Sequence, residues 1–136
     1  MTTAREDSSR VALLGVVSSR SELEPESSKI LEQLGLVHYK RGESDTAIRV
    51  FQRALAVDPS LTSALGNIGL AYAQQSNYGA ARFWYERAKR FAPNVGVLRE
   101  NLAVTLLNLG EPQAALQELE QALRIAPGVG ASGASP

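Results

Sequence analysis

The chain has 136 residues, and its 14 basic and 14 acidic side chains leave no net charge at pH 7. Balanced charge argues against a general role on nucleic acid or a membrane surface, and no apolar run approaches the roughly 18 residues of a membrane span. The absence of cysteine excludes disulfides, thiol nucleophiles and thiolate metal sites, and it favours a cytoplasmic location.

Residues 1–27 form an N-terminal segment in which a stretch at about 10–24 has apolar residues at helical spacing. This stretch resembles the second half of the pattern that follows it, because Val17 and Pro25 stand 34 residues before Phe51 and Pro59. We therefore predict a capping helix at about 10–24 that covers the open end of the helices after it. A disordered leader is the alternative, since glycine and serine weaken a helix.

Residues 28–129 write one pattern three times, in units 28–61, 62–95 and 96–129. Small residues return every 34 positions, and a fixed period of this length is typical of helical repeats. The recurring small residues are Gly35, Gly69 and Ala103, then Ala47, Ala54, Ala81, Ala88, Ala115 and Ala122. Because small side chains let two helices approach to about 8–10 Å, each unit is predicted to be a helix hairpin.

The predicted helices span about 28–41, 44–57, 62–75, 78–91, 96–109 and 112–125. Gly42 and Gly110 are expected to end the first helix of their units. In the second unit Asn77 is expected to take the left-handed conformation instead. Ser60 and Asn94 are predicted to cap the helices that follow them.

Large residues alternate with the small ones at helical spacing, which predicts that they fill the space between the helices. They are Leu31, Leu34, Phe51, Leu55, Leu65, Ile68, Tyr72, Tyr85, Leu102, Leu106, Leu119 and Leu123. At the end of the last unit, no polar closing helix follows before the flexible tail 130–136. Its leucines are therefore expected to be partly exposed or covered by another chain.

The second unit carries the whole pattern, namely Leu65, Ile68, Gly69, Tyr72, Ala81, Tyr85, Ala88 and Pro93. On these residues the chain resembles the tetratricopeptide repeat (TPR) family, whose period is also 34. The resemblance implies an all-α fold, an α-solenoid of antiparallel helix hairpins wound as a right-handed TPR superhelix. It also implies a concave inner face that binds peptides. His38, at a position where the family favours an aromatic residue, is interpreted as a substitute for it.

The inner face is the candidate binding groove. Its expected side chains are Lys29, Gln33, Leu36, Tyr39, Lys40, Ser63, Asn67, Leu70, Gln74, Val97, Asn101, Val104, Leu107 and Asn108. The amides of Gln33, Asn67 and Asn101 stand one repeat apart, and each offers a donor and an acceptor to a peptide backbone. The alternative is that these amides are merely solvated helix residues.

Some family members grip a C-terminal carboxylate with lysine and asparagine side chains. Here Glu32, Leu36, Val97 and Asn101 stand where that clamp needs Lys, Asn, Lys and Arg, and Asn67 alone matches. Binding of an Hsp70 or Hsp90 tail is therefore disfavoured.

The sequence offers little chemistry. It has one histidine, no Ser-His-Asp set, no phosphate loop and no metal-ligand spacing, so we predict no catalytic residue, metal or cofactor. The main hypothesis is a non-catalytic scaffold that binds a protein or peptide partner in the groove. The alternatives are a self-assembling unit, a homo-oligomer joined through uncovered repeat ends, and an accessory arm of a larger enzyme or complex.

One helix has a mixed basic and aromatic composition. Arg82, Arg87, Lys89 and Arg90 lie beside Phe83, Trp84 and Phe91. Such a mixture can bind nucleic acid, but we favour a solvated convex face with buried aromatics. The acidic third repeat, with Glu111, Glu118 and Glu120, offers a complementary surface for a neighbouring copy's basic repeat 2.

Overall fold

The computed structural model describes residues 25–125, apart from the side chains of Pro25 and Glu26. These residues form α1 (Pro25–Lys40), α2 (Ser44–Val57), α3 (Thr62–Gln74), α4 (Tyr78–Phe91), α5 (Gly96–Asn108) and α6 (Pro112–Ile125). Each helix packs on the next, and α1, α3 and α5 also contact one another in sequence. The described chain is therefore an all-α solenoid of three helix hairpins, as predicted.

The predicted helix bounds are confirmed to within one residue at every end but one. The exception is α1, which begins at Pro25 instead of about residue 28. Proline suits the first turn of a helix, because its missing N–H would have no partner there and its φ is already helical. The predicted capping helix at about 10–24 and the tail 130–136 lie outside the described residues.

The turn within each hairpin places one residue in the left-handed region. Gly42, Ser76 and Gly110 have φ values of 79°, 61° and 77° and stand one repeat apart. The expectation for Asn77 is therefore wrong by one position. Asn77 instead caps α4, where its side chain accepts a hydrogen bond from the backbone N–H of Ala80 at 3.3 Å.

The predicted N-caps Ser60 and Asn94 are also wrong. The cap positions of α3 and α5 are Leu61 and Val95, whose side chains make no capping bond. The Ser60 side chain is used in the loop instead, since its N–H and Oγ both donate to Asp58 Oδ1 at 3.1 and 3.0 Å. Ser60 therefore makes local hydrogen bonds to the Asp58 side chain instead of capping the N-terminus of α3.

The core is built on an aromatic ring set against a glycine. A Cβ added at Gly35 would lie 2.5 Å from the Phe51 ring, and one at Gly69 would lie 2.6 Å from the Tyr85 ring. Both rings are fully buried, and burial raises the pKa of the Tyr85 phenol. In the third repeat the same positions hold Ala103 and Leu119. There the glycine is replaced by the larger alanine, and the aromatic ring is replaced by the smaller leucine side chain.

Most of the predicted core is buried, but the two ends differ. Leu34 is 42% exposed, Leu119 is 38% exposed and Leu123 is 64% exposed. Ile68 and Phe51, the equivalents of Leu34 and Leu119, are fully buried, because a neighbouring repeat covers them. The expectation of partly exposed leucines at the end of the last unit is confirmed.

The α1–α2 turn carries the single histidine. His38 Nδ1 lies 2.7 Å from Glu43 Oε1, and Arg41 lies 3.2 Å from the other carboxylate oxygen. The hydrogen bond from His38 is the main cause that holds the pKa of Glu43 below its ordinary value of 4.5, and Arg41 adds to it. His38 therefore does more than replace an aromatic side chain, since it also ties the two helices at their turn.

Gly69→Ala is expected to destabilise the chain by roughly 1–3 kcal/mol, because the added methyl overlaps the buried Tyr85 ring. The matched control is Gly79→Ala, where a Cβ meets nothing within 4 Å. That change should stabilise by about 0.5–1 kcal/mol through helix propensity. Urea unfolding measures both. In a Tyr85→Leu background, which copies the third repeat, Gly69→Ala should cost less; an equal cost in both backgrounds would contradict the contact.

The lowered pKa of Glu43 predicts a pH dependence of stability. A carboxyl whose pKa is depressed on folding contributes stability above its unfolded pKa, and the contribution is lost as pH falls through the folded value. The melting temperature of the wild type should therefore fall more steeply below about pH 4.5 than that of Glu43→Gln. Thermal melts between pH 7 and pH 3 make the comparison, and parallel curves would contradict the His38–Glu43 bond.

Candidate functional site

The first helices of the three hairpins, α1, α3 and α5, lie side by side and form one wall of the solenoid, here called the inner wall. All fourteen predicted groove residues lie on these helices. The wall has apolar and polar residues at its surface, since Val104 and Leu107 are exposed on α5 and so are Asn108 on α5 and Gln33 on α1. It therefore offers both apolar contact and hydrogen-bonding groups to another molecule.

The three amides that stand one repeat apart have different surroundings. Asn67 Nδ2 donates to Glu32 Oε2 across the α1–α3 contact at 3.1 Å. Gln33 is exposed, whereas the side chain of Asn101 is partly buried and makes no hydrogen bond within residues 25–125. The amides of Asn67 and Asn101 lie together on one opening, described next, and Gln33 lies apart from it.

A pocket of about 460 Å³ opens between α3 and α5. Its lining is Thr62, Ser63, Gly66, Asn67, Leu70, Ala92, Val95, Val97, Leu98 and Asn101. The floor is Leu98, which is buried, and the rim includes Val97, which is 59% exposed. The volume falls within the range of ligand pockets, which are mostly apolar with a few polar groups that fix orientation.

The pocket opens where the repeat lacks a side chain. Gly66 stands at the position that holds Glu32 in the first repeat and Glu100 in the third. A Cβ at Gly66 would lie 3.6 Å from Leu98 Cδ1, so a longer side chain at this position would enter the opening. At the α1–α3 contact, Glu32 occupies the corresponding position and bonds Asn67.

Five of the predicted groove residues line this pocket: Ser63, Asn67, Leu70, Val97 and Asn101. The sequence prediction missed the other five lining residues, namely Thr62, Gly66, Ala92, Val95 and Leu98. Gly66 could have been found by comparing it with the glutamates one repeat away. Ala92 and Val95 could not, because they enter through the path of the α4–α5 loop.

Some of the remaining predicted residues make hydrogen bonds within the chain, and others do not. Gln74 is hydrogen-bonded, since its Nε2 donates to the Tyr39 carbonyl at 3.0 Å and its Oε1 accepts from Ser44 Oγ. It therefore joins the first two repeats. Asn108 Nδ2 donates to the Val104 carbonyl at 3.0 Å. Leu36, Tyr39, Lys40 and Leu107 lie away from the pocket, and Leu36 and Tyr39 are half-buried against the core.

Among residues 25–125, no cationic side chain lines the pocket. Lys29 and Lys40 are exposed on α1, but neither of them lines the pocket. The pocket can therefore bury an apolar group and pair with a backbone amide, but it lacks a cation to neutralise a carboxylate.

The outer side of α4 differs from the prediction. Trp84 is half-buried, but Phe83 and Phe91 are 54% and 53% exposed, so the expectation of buried aromatics is wrong for both. The guanidinium of Arg87 lies over the Phe83 and Trp84 rings, 5.8 and 5.2 Å from their centroids. Phe83 and Trp84 are large for an outer surface, and the arginine shields part of them.

The acidic residues of the third repeat pair within the chain. Glu111 bonds Arg82 at 3.0 Å, and Glu118 bonds both Lys89 and Arg99 at 2.8 Å. The bonds of Arg82 and Lys89 join the second and third repeats of one molecule, and the Arg99 bond lies within the third. The expectation that Glu111 and Glu118 face the basic repeat of a neighbouring copy is therefore wrong, because intramolecular partners already occupy them. For Glu120 it stays a prediction.

Metal binding and membrane insertion are two further possibilities for residues 25–125. No group of three or more metal-ligating side chains is close enough to hold an ion there. In the same part of the chain, none of the helices has the length and apolar character required to cross a membrane.

Comparison with solved structures shows the same fold. The first TPR of Spaghetti (RPAP3), solved with the HSP90 peptide SRMEEVD, is 18% identical with a TM-score of 0.73, covering 77% of this chain and 83% of that one. SycD, the type III secretion translocator chaperone of Yersinia enterocolitica, is 21% identical with a TM-score of 0.73, covering 84% and 81%. PcrH, solved with the chaperone binding region of PopB, is 22% identical with a TM-score of 0.74, covering 78% and 86%.

Comparison of sequences gives the family. No curated protein matches the chain. Two models of the tetratricopeptide repeat match it, one over residues 32–95 and the other over residues 97–126. These ranges contain residues 32–40 of α1 and, apart from Gly96, all of the five helices that follow. On its repeat period, its three hairpins and these matches, the chain belongs to the tetratricopeptide repeat family.

Proposed function

We propose that this chain is a non-catalytic interaction module that holds a segment of a partner protein on the inner wall. One apolar side chain of the segment enters the α3–α5 pocket, and the segment's backbone pairs with the amides of Asn67 and Asn101. The observation that carries this proposal is the apolar pocket with two amides on its lining. A segment with a large apolar residue fits it best.

The energetics of the pocket agree with modest affinity. Burial of one apolar side chain contributes about 1.5–3 kcal/mol, and part of this gain is lost in ordering the segment. Hydrogen bonds to a bound backbone add roughly 0.5–1.5 kcal/mol each. Exposed Val104 and Leu107 extend the apolar surface along α5, so a longer segment gains contact beyond the pocket.

The charge of the pocket lining indicates that the bound part of the segment carries no terminal carboxylate. Because the described part of the chain places no cation on the pocket lining, a terminal carboxylate would be desolvated there without a partner. The partner segment is therefore internal to its protein or ends away from the pocket. The solved TPR of Spaghetti binds an HSP90 peptide and PcrH binds a region of PopB, which supports partner binding by this fold but not the same ligand.

The test begins with a selection of displayed random peptides on the full chain. The affinity of a selected peptide is then measured for the wild type and for Gly66→Glu, which installs the residue of the first and third repeats. The longer side chain should fill the pocket and weaken binding by roughly tenfold or more. Asn67→Ala and Asn101→Ala should each weaken binding by a smaller factor.

The matched control is Gly79→Glu, which adds the same side chain on α4, where nothing lies within 4 Å. It should leave the affinity unchanged. Equal affinity of the wild type and Gly66→Glu for every selected peptide would contradict the pocket. Retained affinity in both asparagine variants would remove the amides from the proposal while leaving the pocket in place.

A further inference from the structure

One end of the described solenoid exposes an apolar face of α1, and the other end exposes an apolar face of α6. These two faces correspond to the surfaces that pack together where α2 meets α3. From this we propose that copies of the chain associate head to tail, with α6 of one copy packed on α1 of the next. The contact reproduces the packing of α2 on α3. It lies apart from the inner-wall pocket and does not depend on the proposed peptide binding.

The first half is an apolar stripe on α1, here called the α1 face, made of Ile30, Leu34 and Val37. These side chains are 68%, 42% and 53% exposed. In the second repeat the same positions hold Ala64, Ile68 and Ala71, and in the third they hold Leu98, Leu102 and Thr105. All six of those residues are buried, none more than 6% exposed. The stripe is therefore a surface that the fold covers wherever a preceding repeat is present.

The second half is the α6 face, made of Leu116, Leu119 and Leu123, which are 47%, 38% and 64% exposed. These leucines stand two repeats after Ile48, Phe51 and Leu55. Ile48 and Phe51 are buried and pack against Ile68 and Ala71 of α3, and Leu55 packs beside them. The α6 face is therefore apolar at the three positions where α2 places Ile48, Phe51 and Leu55.

The two faces are different surfaces of one molecule, so their contact is heterologous. In an open assembly, such a contact leaves one α1 face uncovered at one end and one α6 face uncovered at the other, so further copies can add. It builds rings where the rotation closes and open filaments where it does not. Solenoids normally avoid this by placing polar residues on their terminal repeats, which neither face has.

The competing occupant of the α1 face is residues 10–24 of the same chain. At the positions of Ile48, Phe51 and Leu55 that stretch has Leu14, Val17 and Ser21, which is less apolar than the three leucines of α6. A packed leader would also leave the α6 face uncovered. In addition, α1 already begins at Pro25, whereas α2 and α3 are separated by a loop of four residues. These observations favour a second copy.

The test is sedimentation velocity of the full chain over a concentration series. Leu34→Glu alters one face and Leu123→Glu alters the other. Both side chains are exposed, so both variants should remain folded, and circular dichroism checks this. The mass of the wild type should rise with concentration, and each variant should associate roughly tenfold or more weakly. Mixed together, the two variants should form a 1:1 heterodimer, because one intact pair of faces remains.

Two controls fix the interpretation. Leu107→Glu, at a 54% exposed leucine on the inner wall, and Gly66→Glu should both assemble like the wild type. A wild type that stays monomeric at every concentration would overturn the proposal. If such a monomer assembles once Leu14→Asp and Val17→Asp are introduced, the α1 face belongs to residues 10–24. Absence of a heterodimer in the mixture would overturn the head-to-tail geometry.

Discussion

The structure depends on how closely the two helices of a hairpin approach. In the first two repeats an aromatic ring of the second helix occupies the space that a side chain on the first helix would fill. Because protein interiors are close-packed, the identity of that one small residue sets the spacing of the hairpin. The same fixed spacing, repeated every 34 residues, lets successive hairpins stack in one direction.

Stacking has two consequences for what the chain can do. It places α1, α3 and α5 side by side, so their outward residues form a continuous wall. Several of these residues are exposed and take no part in the core. Residues on that wall can therefore differ from repeat to repeat, and the absence of a side chain at Gly66 opens a pocket between two repeats. Stacking also leaves an apolar end wherever the array stops, since each repeat buries its face mainly against its neighbours.

The fold was largely predictable because it follows from a period and from small residues at fixed positions. The helix ends were predicted almost to the residue, but the caps were not. Ser60 bonds Asp58 and Ser76 takes the left-handed turn, choices that depend on local competition among side chains. The pocket was only partly predictable, because Ala92 and Val95 reach it through a loop. Pairing of Glu118 with Lys89 and Arg99 likewise depends on three helices meeting.

The most direct measurement of the central claim is the set of nuclear Overhauser contacts in the folded chain. The account predicts strong contacts from the Tyr85 ring protons to the α protons of Gly69, and from the Phe51 ring protons to those of Gly35. Well-dispersed spectra in which both sets of contacts are missing would show that the rings do not pack on the glycines, and the proposed origin of the hairpin spacing would be contradicted.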